Sequence, residues 1–326
     1  MGLKEIAQLT GYSISTVSRV LNNKTKCAST KTETEIWAAA QKLHYNRNDE
    51  AANLRKGRSC RSKVVYRIGV VMARGLESLD DEFYFQIEKG IKSTVLRAGH
   101  QLGETFMLQS ILDDPKCLSD IDGLILLGKC KVHYLEILQS ACKNLICTGL
   151  NPYYMEIDQL YCNGERIARS AVQHFISRGH RKIGYVGECS GDVRYLGYQQ
   201  SLKDVGLDVD APHVFEVPQT TEGGREAARQ FLVSEDSPTA IFCVNDVSAI
   251  GFIEALRQLR PGAAIPEIMG IGDISLALSA ELTTAQVPLQ EMGSMSARIL
   301  LDRMRRGHSL PVKVEVPYKI IRRQTA

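Results

Sequence analysis

Residues 3–22 read LKEIAQLTGYSISTVSRVLN, and the periodicity of this stretch decides the first domain. Leu3, Ile6, Ala7 and Leu9 share one face of a short helix. Gly11 ends it, because glycine accepts the left-handed backbone of a tight turn. Ser13 then stands where a hydroxyl caps the free amides of a second helix, whose apolar stripe is Val17, Val20 and Leu21. The opposite face carries Ser15, Thr16, Ser18, Arg19 and Asn22. A third helix opens at Ser29 and offers Ile36, Ala39, Ala40 and Leu43, with Trp37 helping to close a three-helix core. Two helices crossing at a glycine turn predict a helix-turn-helix, whose second helix enters the major groove of double-stranded DNA. Arg19 can then give two parallel hydrogen bonds to guanine, Ile14 can press on a thymine methyl, and Ser15 can donate or accept. Ser13, Thr16 and Asn22 are better placed for phosphates, which set register without reading sequence. A helical protein-interaction module is the alternative reading of residues 1–45.

Charge divides the chain at the same place. Residues 1–63 hold 12 Lys and Arg against 5 Asp and Glu, whereas the remainder holds 28 against 32, so the amino-terminal end is where a polyanion would bind. A chain of 326 residues, 44% hydrophobic and 24% charged, exceeds one core and predicts a small module beside a larger two-lobed one. The longest apolar runs, 68–73 and 123–128, fall far short of the ~20 residues of a membrane span, and no leader precedes Lys4 and Glu5. The expectation is a cytoplasmic protein with no membrane partner. Nine cysteines scattered from Cys27 to Cys243, without a Cys-x-x-Cys pair, suggest neither a disulfide framework nor a zinc site. No cofactor or metal is expected. An enzyme is not expected either, since there is no nucleophile elbow or metal motif, and the stretch from Gly270 to Ser275 lacks the context of a dinucleotide loop.

From Val64 onward, strand-like runs at 67–73, 123–127 and 145–148 alternate with helical ones at 87–98 and 136–142. A second series follows: 167–177, 182–187, 195–205, 214–217, 225–232, 240–244, 249–259 and 268–271. Such alternation predicts parallel sheets flanked by helices in two lobes, with a ligand cleft at the carboxyl ends of the strands.

Residues 3–22 closely resemble the signature of the LacI/GalR family of bacterial repressors. The resemblance continues through Asp122–Leu126, Gly179–Gly187, Arg194 with Gly197 and Tyr198, Cys243–Asp246 and Leu282–Thr284. It implies an all-α helix-turn-helix head and an α/β two-lobed periplasmic-binding-protein-like effector domain. The implied divisions are 1–46 for the head, 47–62 for a hinge helix and linker, and 63–326 for effector binding and dimerisation. Within the last, one lobe takes 64–160 and 288–319, the other 161–287 and 320–326. Ile14 and Ser15 become the specificity-setting pair and Arg19 a base reader, with a further DNA contact at Asn48. Residues 46–59, NRNDEAANLRKGRS, resemble the family's hinge, in which Leu54 would wedge between base steps of the minor groove and kink the operator. A plain flexible tether is the alternative. Tyr12 departs from the usual valine, Arg47 from a common proline, and Asp49 and Glu50 put acid where small or basic residues are usual.

For the effector, the resemblance places Arg194 and Asn245 on sugar hydroxyls and Phe83 against a sugar ring. Where many members carry a hydroxyl-binding aspartate after a late strand, Gly272 stands; Asp273 is the remaining candidate, although its side chain would point elsewhere. The order of short motifs, including Asp122–Lys129, looks nearest to members that repress β-galactosidase genes. The expected function is therefore a homodimeric repressor of a sugar operon, β-galactoside utilisation included, bound to a pseudo-palindromic operator and released by a small-molecule inducer. A non-sugar effector, or a ligand acting as corepressor or activator, is the alternative, since purine-sensing members bind DNA more tightly with ligand.

Overall fold

The computed structural model describes residues 3–21, 32, 35–36, 38–40, 64–73, 82–209, 213–262 and 264–326. They fall into two compact units, residues 1–64 and 65–326. In the first, helix α1 is Leu3–Thr10 and α2 is Ile14–Leu21. Ile6, Ala7, Val17, Val20 and Leu21 bury against Ile36, Ala39 and Ala40 of a further helical segment. Leu9 is not part of this core; it is 53% exposed. At 3.6 residues per turn it lies on the far side of Ile6 from Ala7, outside the narrow arc so small a core can cover. Ser29, Trp37 and Leu43, expected in the third helix, lie outside the described residues.

The second unit has two lobes. The first is built from β1 (Arg67–Met72), α3 (Glu82–Arg97), β2 (Gln101–Met107), α4 (Leu108–Asp113), β3 (Gly123–Leu127), α5 (Val132–Ala141), β4 (Leu145–Gly149) and β5 (Asp158–Cys162). The chain then crosses to α6 (Gly164–Ser177), β6 (Ile183–Gly187), α7 (Val193–Lys203), β7 (Val214–Glu216), α8 (Thr221–Val233), β8 (Ala240–Cys243), α9 (Asp246–Leu259), β9 (Glu267–Gly272), α10 (Ser275–Ser279) and β10 (Thr283–Gln286). It returns as α11 (Leu289–Met304) and β11 (Lys313–Val316), and ends with β12 (Lys319–Ile321) in the second lobe.

The strand orders are β11-β5-β4-β3-β1-β2 and β12-β10-β9-β8-β6-β7. The first sheet is parallel throughout, and in the second β12 alone runs antiparallel to its neighbour. Strands such as β3, GLILL, are buried along their whole length because helices cover both faces. Two crossings differ slightly from the expected divisions. Tyr161 and Cys162 still belong to the first sheet, where they pair with Glu315 and Val316, and Lys319 already belongs to the second, where it pairs with Gln286. The returning helix α11 docks backbone to backbone on α3: a Cβ on Gly90 would sit 2.0 Å from the Gln290 carbonyl, and one on Gly293 1.9 Å from that of Ile87. Among the described residues no helix is long and apolar enough to cross a membrane.

Candidate functional site

In the head, Gly11 takes φ +73° with open space around it, so the turn needs its backbone freedom. The Ser13 Oγ then accepts the Thr16 amide at 3.1 Å and lies 2.7 Å from Ser15 Oγ and 2.9 Å from Thr16 Oγ1, which caps α2. With Val17, Val20 and Leu21 buried, the outer face presents Ser15 and Arg19 together with Ile14, an apolar side chain left 45% exposed. Tyr12 packs at the edge of the core and donates its hydroxyl to Glu35 at 2.7 Å. Asn22, Asn48 and Leu54, and the whole segment 47–62, lie outside the described residues.

In the second unit a cleft enclosing about 110 Å³ opens between the lobes at the carboxyl ends of the strands. Phe83 and Tyr84, Lys129 and Asn151 line it from the first lobe; Glu188, Asp192, Arg194, Gln219 and Asn245 line it from the second. Three sequence-predicted residues, Phe83, Arg194 and Asn245, are thus brought together. Each stands where a strand gives way to a helix or at a helix start, so the topology alone gathers them.

Arg194 is buried and heavily committed. Its Nε donates to Asp192 Oδ1 at 2.9 Å and its Nη2 to Asp192 Oδ2 at 2.5 Å and to Gln219 Oε1 at 2.9 Å, while Nη1 donates to the Val244 carbonyl at 2.8 Å. Asp192 also caps α7 by accepting the Arg194 amide at 2.8 Å. Burial pushes the Asp192 carboxyl up, but the Arg194 charge and hydrogen bonds, with Lys129 nearby, outweigh it and hold the group below the usual carboxylate range. Asn245 caps α9 through Oδ1 to the Ser248 amide at 2.9 Å and donates from Nδ2 to the Gln219 carbonyl at 3.0 Å. These bonds fix a rigid, preorganised wall.

Asp273 is a correction. It does not line the cleft: with φ +58° its carboxylate turns to Arg323 Nη2 at 2.5 Å and accepts Gln286 Nε2 at 2.7 Å. Gly272 before it has φ +138°, and a Cβ there would meet Asp246 Oδ2 at 3.1 Å and Phe83 Cδ2 at 3.5 Å. A side chain at the place expected for a hydroxyl-binding carboxylate would therefore need a strained backbone and would crowd the Asp246 carboxylate. The neighbouring Glu82 joins the lobes as well: its carboxylate accepts the Ser275 amide at 2.8 Å and hydroxyl at 2.6 Å, capping α10, which has no side-chain cap of its own.

Asp192, Gln219, Lys129 and Asn151 escaped sequence reasoning. Asp192 could have been found as a helix-capping acid just ahead of Arg194; the other three carry no local signal. Among the described residues, no cluster of three or more His, Cys, Asp or Glu side chains is placed to hold a metal ion.

A helix-turn-helix module joined in one chain to a two-lobed body with a polar cleft defines a ligand-responsive, DNA-binding transcriptional regulator. Residues 2–48 match the family described as bacterial regulatory proteins, lacI family, and residues 172–326 match the periplasmic binding protein-like domain. The HTH-type transcriptional repressor PurR of Photobacterium profundum is 26% identical over 340 residues, covering 98% of this chain and 97% of that protein. A transcriptional regulator CelR–cellobiose complex superposes with TM-score 0.71 at 22% identity, covering all of both chains. A lac repressor dimer bound to operator and the anti-inducer ONPF superposes with TM-score 0.69 at 23% identity, covering 100% of this chain and 98% of that one. The chain belongs to the LacI family: it is a DNA-binding repressor with a ligand-binding domain.

Proposed function

We propose that this repressor controls a sugar-utilisation operon, β-galactosides being the first effectors to test, and that ligand in the interlobe cleft releases it from DNA. The observation that carries the reading is the cleft's lining. Arg194, held by Asp192 and Gln219, and Asn245 offer fixed donors opposite Phe83, an arrangement suited to a ring with hydroxyls on its edge and C–H groups on its face. Of the five N–H groups of Arg194, four are committed within the wall, which leaves one on Nη1 for a ligand. A second reading, a purine that tightens DNA binding, is favoured by the full-length likeness to repressors named PurR.

On the DNA side, Ile14, Ser15 and Arg19 read base edges, while Ser13, Thr16 and Asn22 hold phosphates. The segment 47–62, with Asn48 and Leu54, serves as the hinge between the head, 1–46, and the body, 63–326. A cytoplasmic homodimer on a pseudo-palindromic operator matches two such heads to two half-sites. The test is fluorescence anisotropy of the full chain on a palindromic operator from its own upstream region, titrated with galactosides, other sugars and purines. Release by a sugar supports the reading. Release by none, or tightening by a purine, overturns it in favour of the second. On the same operator, Arg19→Ala should cost about 1–3 kcal/mol with little loss on random DNA.

A further inference from the structure

The two walls of the cleft are not equivalent. The second-lobe wall is largely satisfied by its own bonds. On the first-lobe wall, no hydrogen bond or ion pair joins Lys129 to another described residue, and Asn151 Oδ1 is buried with no hydrogen-bond partner among them. Both follow strand ends, Lys129 after β3 and Asn151 after β4. Lys129 reaches across to the other lobe: a Cβ on Gly191 would lie 3.0 Å from its Nζ. Asp192, nearby, cannot satisfy the ammonium cheaply, because both its oxygens already serve Arg194 and Gln219.

We propose that Lys129 and Asn151 are the specificity-determining residues of the first lobe, gripping hydroxyls of a neutral polyol. The proposal rests on the sugar reading of the cleft. An ammonium only donates and the Asn151 oxygen only accepts, whereas each hydroxyl of a sugar does both. A pair of hydroxyls can therefore satisfy both: one oxygen accepts from Lys129 and another O–H donates to Asn151 Oδ1. A buried acceptor left without such a donor is costly, which gives the site a reason to close on this ligand. Charge argues for neutrality. Lys129 and Arg194 face Glu188 and Asp192 in the same lining, so a phosphate or carboxylate drawn to Lys129 would meet two acids. Because Lys129 projects from the first lobe toward Gly191 of the second, a ligand held by it and by Arg194 bridges the lobes.

The test is calorimetric titration of the full-length protein with methyl β-galactoside, methyl glucoside, ribose, galacturonate and a purine base, then with mono-deoxy analogues of whichever neutral sugar binds. Lys129→Met and Asn151→Leu are expected to raise the Kd of that sugar roughly tenfold or more. Each should lose its penalty toward the one analogue lacking the hydroxyl it contacts, and operator binding without ligand should stay at the wild-type value. Penalties under twofold in both variants overturn the assignment and leave the sugar reading standing. So does a set of deoxy analogues that the wild type binds within twofold of the parent sugar, a result that does not depend on the variants folding. Preference for galacturonate overturns the neutral-ligand claim, and binding of the purine alone overturns the sugar reading with it.

Discussion

The two lobes share a strand order, and each has an aspartate only 1% exposed, Asp158 in the first and Asp246 in the second, but they treat the charge in opposite ways. In the first lobe Asp158 opens β5 at the end away from the cleft. It accepts Arg303 Nη2 at 2.7 Å and Nε at short range, His308 Nε2 at 3.1 Å and the Val312 amide at 2.8 Å. Burial pushes this carboxyl up, yet the hydrogen bonds from Arg303, Val312 and His308 outweigh it, and the group stays below its usual range. In the second lobe Asp246 opens α9, one residue from the cleft. Its partners are neutral, the Thr284 hydroxyl at 2.6 Å and the Ile274 amide at 3.1 Å, and burial pushes it up to about 6. The shifts are opposite because Asp158 has a guanidinium and an imidazole to offset burial, whereas the donors to Asp246 are all neutral. The Asp158–Arg303 pair of the first lobe holds the scaffold together, whereas the buried Asp192–Arg194 pair of the second stands in the ligand wall.

The contrast is broken most forcefully at Arg303. Arg303→Met leaves Asp158 buried without its strongest partner, and unfolding of the second unit in urea should show a loss of about 3 kcal/mol at neutral pH. Loss well under 1 kcal/mol would mean that solvent or His308 already carries the charge.

Asp246 gives the next effect, and its sign is opposite. Its folded value lies above the ordinary carboxylate value, so the folded state binds the proton more tightly than the unfolded one. Its contribution to stability therefore falls as pH rises from about 4 through about 6 and is constant above that. Over that window the wild type should lose on the order of 2–3 kcal/mol relative to Asp246→Asn, measured as the difference between their stability-versus-pH curves. Parallel curves would show that Asp246 titrates normally.

His308 gives the smallest effect. Its ring is raised above the usual imidazole value by hydrogen bonds to Asp302 and then Asp158. Its stabilisation is complete below about 6.5 and fades as pH climbs through the folded value. His308→Asn should therefore lower the melting temperature at pH 6 and change it far less at pH 9. An equal loss at both would assign the histidine to packing alone.

Local chemistry was legible and long-range partnership was not. The head could be read because a cap, a glycine turn and an apolar stripe lie within twenty consecutive positions of the chain. The lobes could be read because buried parallel strands are uniformly apolar, as in β3. Phe83, Arg194 and Asn245 emerged as cleft residues through their resemblance to family positions. Gln219, Lys129 and Asn151 did not emerge, because each acquires its role from groups brought near only by the fold; Asp192, a helix-capping acid two residues before Arg194, carried a local signal. Asp273 was misassigned for the same reason: its direction is set by a positive φ and by Arg323, far along the chain. Leu9 fell out of the core because its angular position on a two-turn helix leaves nothing to cover it.

The central claim is that ligand in the cleft and DNA on the head influence one another through one chain. The direct measurement is the Kd of the effector, by titration calorimetry, for the free protein and for the protein saturated with its operator. If the ligand releases the repressor, it must bind the operator complex more weakly, by the same factor by which it weakens DNA binding. Equal effector affinity in the two states would contradict the account.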